Sequence, residues 1–189
     1  IILHHTDTTD HSLLNHKCGS DYIVSQGNSS FCMMEHVLHA SLDGDADRII
    51  CYYSIKDDFY LLDGDYISAL FAYYFYKLVN TKNLRVGIIH TAYANSNFLT
   101  FIHSLGFETQ CTATGVKHLH RAAEAYDIGI YFESNGHGTV LLKQNYIDPD
   151  LSAYLNPLIG DGIADLFAIS YVLQALDISP KQWYGLFEK

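Results

Sequence analysis

No run of apolar residues in this 189-residue chain approaches the ~20 needed to cross a membrane, so a membrane partner is not expected. CxxC pairs are missing too. The four cysteines, Cys18, Cys32, Cys51 and Cys111, show neither zinc-like spacing nor disulfide density, which fits reduced thiols in a cytoplasmic protein. Positive charge is scarce: 11 Lys and Arg face 21 Asp and Glu, for a net charge of −10. That balance argues against nucleic acid as a partner, whereas a small anionic substrate needs only a few local cations. Charged residues make up just 17% of the chain and hydrophobic ones 49%, which describes a globular domain with a core rather than a disordered segment. There is no internal repeat, and the Asn/Ser cluster at 25–30, with its Asn28-Ser29-Ser30 sequon match, is too short to be a linker. Neither an initiator Met nor a signal-peptide pattern opens the chain at Ile1-Ile2-Leu3, which reads as a segment of something longer.

What is present has a clear rhythm. Val37 to Leu42 and Ile49 to Ile55 are β-branched and aromatic runs that bracket an acidic loop, a strand–loop–strand unit. Asp57 and Asp58 break the pattern, and a helix follows over about Tyr66 to Leu78. Its Tyr and Phe residues fall at helical spacing, as a core face does. Asp63-Gly64-Asp65 opens it, where acidic residues are favoured. Strands and helices then alternate: strand Arg85 to Thr91, helix Ser96 to Leu105 closed by Gly106, strand Phe107 to Thr112, helix from Gly115 to about Tyr126. Ile128 to Glu133 and Thr139 to Leu142 form a hairpin across Asn135-Gly136-His137-Gly138. Asp161 opens a last long helix whose extension Pro180 ends. The expected fold class is α/β, with mixed, mainly parallel sheets and flanking helices, and with a boundary near residue 57.

The acidic loop reads Leu42-Asp43-Gly44-Asp45-Ala46-Asp47-Arg48. Alternate residues of an extended segment project to the same side ~7 Å apart. Two carboxylates at that distance near a surface repel by roughly 2 kcal/mol. A solvated turn spreads that penalty; a bound cation removes it. An EF-hand needs Gly at position 6 and Glu at position 12, and counting from Asp43 those are Arg48 and Ser54, so that reading fails. An aspartyl-phosphate phosphatase is weakened because Asp47 stands where Thr or Val is usual. A Mg²⁺ site completed by a phosphate fits, with Arg48 as the phosphate contact.

These residues resemble the metal loop of the α-D-phosphohexomutase superfamily. Thr114-Gly115-Val116-Lys117-His118-Leu119-His120, and Asp127 through Glu133-Ser134-Asn135-Gly136-His137-Gly138-Thr139, resemble the eukaryotic phosphoacetylglucosamine mutases, as do Val86 to Asn95, Asn15 to Tyr22 and Gly160 to Asp165. The resemblance implies a four-domain enzyme, of which residues 1–56 are the C-terminal part of metal-binding domain 2 and 57–189 are sugar-binding domain 3. It implies interconversion of N-acetylglucosamine 6-phosphate and 1-phosphate through a phosphoserine and a bisphosphate intermediate, in UDP-N-acetylglucosamine biosynthesis. The serine loop and the C-terminal phosphate loop lie outside this sequence, and the stretch 143–157 is shorter than the family leads one to expect. This segment alone is therefore expected to be inactive without the N- and C-terminal domains. A mutase for another hexose phosphate and a non-catalytic truncated product are the alternatives.

By that resemblance Asp43, Asp45 and Asp47 hold Mg²⁺, Arg48 stabilises the transferring phosphoryl group, and the substrate is an amino-sugar phosphate. Glu133 accepts hydrogen bonds from adjacent sugar hydroxyls, or is a loop carboxylate facing solvent. Asn135 donates and accepts beside it. His137 is either a ligand contact or a turn residue. Lys117 and His118 form an anion site at a helix N-terminus, or a solvated helix face. The His4/His5 and His36/His39 pairs lack metal-site companions.

Overall fold

The computed structural model describes residues 16–29, 33–79, 83–144 and 147–188, together with residues 3, 7 and 9–12. His4, His5, Asn15, Ser30 of the sequon and Cys32 lie outside the described residues.

The first layer is an antiparallel sheet of β1 (His39–Leu42), β2 (Ile49–Ile55) and β3 (Asp58–Leu62), in that order. β1 and β2 are the two runs that bracket the aspartates, and they pair with Leu42 opposite Ile49, which closes the acidic loop at its base. The third strand departs from the expectation. Asp57 and Asp58 do not end the sheet: Ile55 pairs with Asp58 across a two-residue turn in which Lys56 takes φ 54°. The acidic pair marks a tight hairpin turn rather than a break. A boundary near residue 57 therefore falls inside a hairpin, and Ile49, Cys51 and Tyr53 share one core with Tyr66, Leu70 and Ala168.

The second sheet has the order β5-β4-β6-β7, built from β4 (Val86–Thr91), β5 (Glu108–Thr112), β6 (Ile128–Phe132) and β7 (Gly138–Leu142). β4 pairs in parallel with β5 and β6, and β6 pairs antiparallel with β7. The α/β class holds, with parallel pairing confined to this sheet. β4 and β6 are buried along their whole length, as the apolar runs Val86–Ile89 and Ile128–Phe132 require, with His90 and Thr91 buried at the end of β4.

Between the sheets runs α2 (Gly64–Leu78), whose Tyr66, Phe71, Tyr74 and Phe75 are all buried. These aromatics are core, as their helical spacing indicates. Trp183 is fully buried and donates its indole N–H to the Tyr66 carbonyl at 2.7 Å, while Phe187 stacks on the Tyr66 ring. Asp65 accepts from the Asn95 amide at 2.9 Å, and Asn95 in turn caps α3 (Ser96–Ser104). α4 (Val116–Ala123) and α6 (Gly162–Leu176) complete the layers, with Asp161 capping α6 through the Ala164 amide.

Two short helices, α1 (Ser20–Gln26) and α5 (Pro149–Ser152), were not expected. Pro180 also has a different role from the one its sequence position suggests. α6 ends at Leu176, with Asp177 in the left-handed region at φ 52°, and Pro180 opens a new helix, α7 (Pro180–Tyr184), behind a Ser179–Gln182 capping box. Among the described residues no helix is long and apolar enough to cross a membrane.

Candidate active site

The aspartate loop is short because β1 and β2 are adjacent strands, so three carboxylates must share five residues. Asp43, Asp45 and Asp47 each bring one ligand oxygen within 4.8 Å of the others. The donors are all carboxylate oxygens, a set that suits a hard cation such as Mg²⁺ rather than zinc. The local electrostatics point the same way. Burial pushes the Asp47 carboxyl up and His137 pulls against it, while the charges of Asp43 and Asp45 push it further. Burial also works against ionised Asp43, but hydrogen bonds and charge from Arg48 outweigh it and hold that carboxyl below its ordinary range. A divalent cation relieves the repulsion among all three. The residues fit the ion.

Arg48 is tightly held. Its backbone amide donates to Asp43 Oδ1 at 3.1 Å and its Nε to Asp43 Oδ2 at 2.7 Å. The two terminal nitrogens donate to Asp21 at 2.8 and 3.2 Å. Asp21 lies on α1 and carries no local sequence signal that joins it to the loop.

Glu133 to Gly138 form the tip of the β6–β7 hairpin, and this tip rests on the aspartate loop. Arg48 and His137 form an isolated antiparallel bridge, the Ile49 amide donates to the Gly136 carbonyl at 3.2 Å, and His137 Nε2 sits 3.5 Å from Asp47 Oδ2. Two segments read separately from sequence are thus one surface. His137 faces a metal-loop carboxylate and is more than a turn residue. Asn135 turns its side-chain oxygen inward to accept from the His137 amide at 3.0 Å, which leaves the amide NH₂ for a ligand.

Glu133 is not a freely solvated carboxylate. Its Oε1 accepts from the Gly115 amide at 2.9 Å, tying the hairpin to the start of α4. Lys117 and His118 are exposed on the first turn of that helix. His118 also lines a cavity of about 410 Å³ with Arg121, Gln110 and Thr112. Arg121 belongs to no motif, and only its place three residues from His118 on one helical face signals that the two side chains share a surface.

Residues 63–149 match the model of phosphoacetylglucosamine mutase AMG1, domain III. The Candida albicans phosphoacetylglucosamine mutase is 40% identical over 200 residues, covering 91% of this chain and 37% of that protein. The chain belongs to the phosphoacetylglucosamine mutase family. Phosphoacetylglucosamine mutase 1 of Schizosaccharomyces pombe is 38% identical over 215 residues, covering all of this chain and 42% of that protein. The crystal structure of the Aspergillus fumigatus N-acetylphosphoglucosamine mutase, in complex with GlcNAc-6P and magnesium, superposes with a TM-score of 0.89 at 34% identity. The match covers 94% of this chain and 41% of that one. The chain thus spans about two fifths of the length of its family relatives.

Proposed function

We propose that this chain is the central part of a phosphoacetylglucosamine mutase, an isomerase that interconverts N-acetylglucosamine 6-phosphate and 1-phosphate. The observation that carries the reading is the contact between the ESNGHG hairpin tip and the aspartate loop, which joins a sugar-binding turn to a cation-binding one. In this reading the three-stranded sheet, through β3 at Leu62, corresponds to the end of the metal-binding domain, and the chain from residue 63 onward to the sugar-binding domain. The domain III match over residues 63–149 supports that division.

Asp43, Asp45 and Asp47 would hold Mg²⁺, which when bound offsets the charge on a transferring phosphoryl group. Arg48, held by Asp21 and Asp43, presents a fixed positive charge beside the same position. Glu133, steadied by Gly115, keeps Oε2 to accept from a sugar hydroxyl, and the Asn135 amide donates to a neighbouring oxygen. Lys117 supplies positive charge, and His118 a ring nitrogen for hydrogen bonding, near an anionic substrate. The phosphoryl-donating serine and the clamp on the distal phosphate come from the remainder of a longer, cytoplasmic chain.

The test is a mutase assay on the full-length protein, with N-acetylglucosamine and glucose phosphates compared side by side. Preference for the acetylated sugar is the expected result. Equal or greater turnover of glucose phosphate would favour a mutase for another hexose phosphate. No turnover of either would leave a non-catalytic product.

A further inference from the structure

The turn 160–162, which leads into α6, packs against the aspartate loop more closely than any side chain would allow. The Gly162 amide donates to the Ala46 carbonyl at 2.8 Å. A Cβ at Gly162 would lie 2.8 Å from the Arg48 carbonyl oxygen, 2.8 Å from a Leu42 methyl and 3.1 Å from the Ala46 carbonyl oxygen. A Cβ at Gly160 would lie 3.0 Å from the Asp47 carbonyl oxygen and only 2.5 Å from the His137 ring. One short turn therefore bears on Leu42, Ala46, Asp47 and Arg48 at once.

The loop needs such a brace. Ala46, the residue between two of the three carboxylates, sits in the left-handed region at φ 60°, where a residue with a Cβ is uncommon. Its carbonyl is the group that Gly162 grips. Mg²⁺ demands near-ideal octahedral geometry, so displacements of a few tenths of an ångström in the backbone carrying Asp45 and Asp47 matter to it. Such displacements are what a methyl group at residue 160 or 162 would impose.

We infer that Gly160 and Gly162 are positioning residues that set the spacing of the three carboxylates and thereby the affinity of the loop for a divalent cation. The inference rests on the metal reading of the aspartate loop proposed above. Neither glycine touches the ion; Gly162 acts through the loop backbone, and Gly160 through the Asp47 carbonyl and the His137 ring that faces the Asp47 carboxylate.

The test uses the full-length protein and its Gly162→Ala and Gly160→Ala variants. Mg²⁺ affinity is measured by calorimetry, Mn²⁺ affinity by electron paramagnetic resonance, and thermal unfolding is followed in chelator. The expected result is a rise in metal dissociation constant of roughly 10- to 100-fold, the range seen when groups that orient metal ligands are altered. Activity should be regained at high Mg²⁺, and the metal-free melting temperature should hold within a few degrees. A purely structural role would lower the melting temperature and leave the metal affinity alone. If Gly162→Ala does not fold, Gly160→Ala carries the test, because its nearest encounter is with the His137 ring. Unaltered metal affinity in the folded variants would overturn the positioning role. A wild-type protein that binds no divalent cation would instead overturn the metal reading itself.

Discussion

Asp21 and Arg48, twenty-seven positions apart, meet in a two-pronged ion pair at 2.8 and 3.2 Å. The same guanidinium holds Asp43 through Nε, so one side chain ties α1 to the aspartate loop. The Asp21 carboxylate is 75% exposed while that of Asp43 is 6% exposed, so the two ends of this bridge differ in kind. The exposed end contributes little to stability. The inner end fixes where the positive charge sits.

Arg48→Lys separates charge from geometry. Lysine keeps the charge but cannot fork onto two carboxylates at once. Stability should fall by about 1 kcal/mol or less, since one arm of the bridge is solvent-screened. Mutase kcat/KM in the full-length protein should fall roughly 10-fold or more, because a displaced cation no longer meets the phosphoryl group. Chemical denaturation alongside steady-state kinetics checks both. A loss of activity no larger than the loss of stability accounts for would sink the catalytic role.

Glu133→Gln tests the sugar contact. Glutamine retains an oxygen for the Gly115 amide, so the tie between hairpin and α4 survives. The charged acceptor is lost, and hydrogen bonds to charged groups contribute about 1.5–3 kcal/mol. A fall in kcat/KM of roughly 10- to 100-fold is expected, equal in the two reaction directions, with the Mg²⁺ requirement unchanged. An altered Mg²⁺ requirement with intact sugar dependence would show that Glu133 is not the sugar contact. In that event His137, 3.5 Å from Asp47, would explain the coupling.

Much of this site can be read locally in the chain. The spacing of Asp43, Asp45 and Asp47 between two apolar runs marks a loop at a strand junction, and β1 and β2 flank it. Asn135-Gly136 marks the hairpin turn. What local pattern does not carry is the meeting of the two: the Arg48–His137 bridge joins residues with five strands and three helices between them. Asp21 reaches Arg48 from 27 positions away and Gly162 reaches Ala46 from 116, and neither residue type by itself signals the contact. β3 was obscured because Asp57 and Asp58 look like a break, whereas the first occupies a hairpin turn and the second pairs with Ile55. Pro180 stops an extended helix in sequence terms, yet proline suits the first turn of a helix equally well.

Asp165 offers a readout in pH. It is 1% exposed in the first turn of α6, and its Oδ2 is buried without a hydrogen-bond partner. Burial above all, with the charge of Asp161 added, pushes its carboxyl well above the ordinary 3.8. The folded protein therefore keeps this proton over a range in which the unfolded chain has released it. Stability from this group is fully present below pH 3.8 and is lost as pH rises through the folded value. Asp165→Asn has no proton to lose. Unfolding free energies of both proteins, measured from pH 4 upward, should diverge in favour of the variant by up to about 1.4 kcal/mol per pH unit. Parallel curves would show that Asp165 is ionised in the fold.

Gly136→Ala addresses the joint between the hairpin and the loop. Gly136 takes φ 85°, and a Cβ there would lie 1.8 Å from the Ile49 carbonyl oxygen. This collision is a full ångström closer than the backbone contacts at Gly162, a distance that small shifts cannot relieve, so the hairpin tip must lift from β2. The left-handed penalty of roughly 1–2 kcal/mol and the lost bond from the Ile49 amide, about 1 kcal/mol, act together. A destabilisation of about 2–3 kcal/mol is expected from their sum. Gly44→Ala is the control, because a Cβ there meets nothing within 4 Å and its φ is not in the left-handed region. That change should stay within about 0.5 kcal/mol of the parent. Lifting the tip moves His137 away from Asp47 and Glu133 away from Gly115 at once. In the full-length protein the Mg²⁺ requirement and the sugar-phosphate KM should therefore both rise in Gly136→Ala, whereas Glu133→Gln moves only the second. If Gly136→Ala raised the sugar KM alone, the hairpin and the aspartate loop would be neighbours without being coupled.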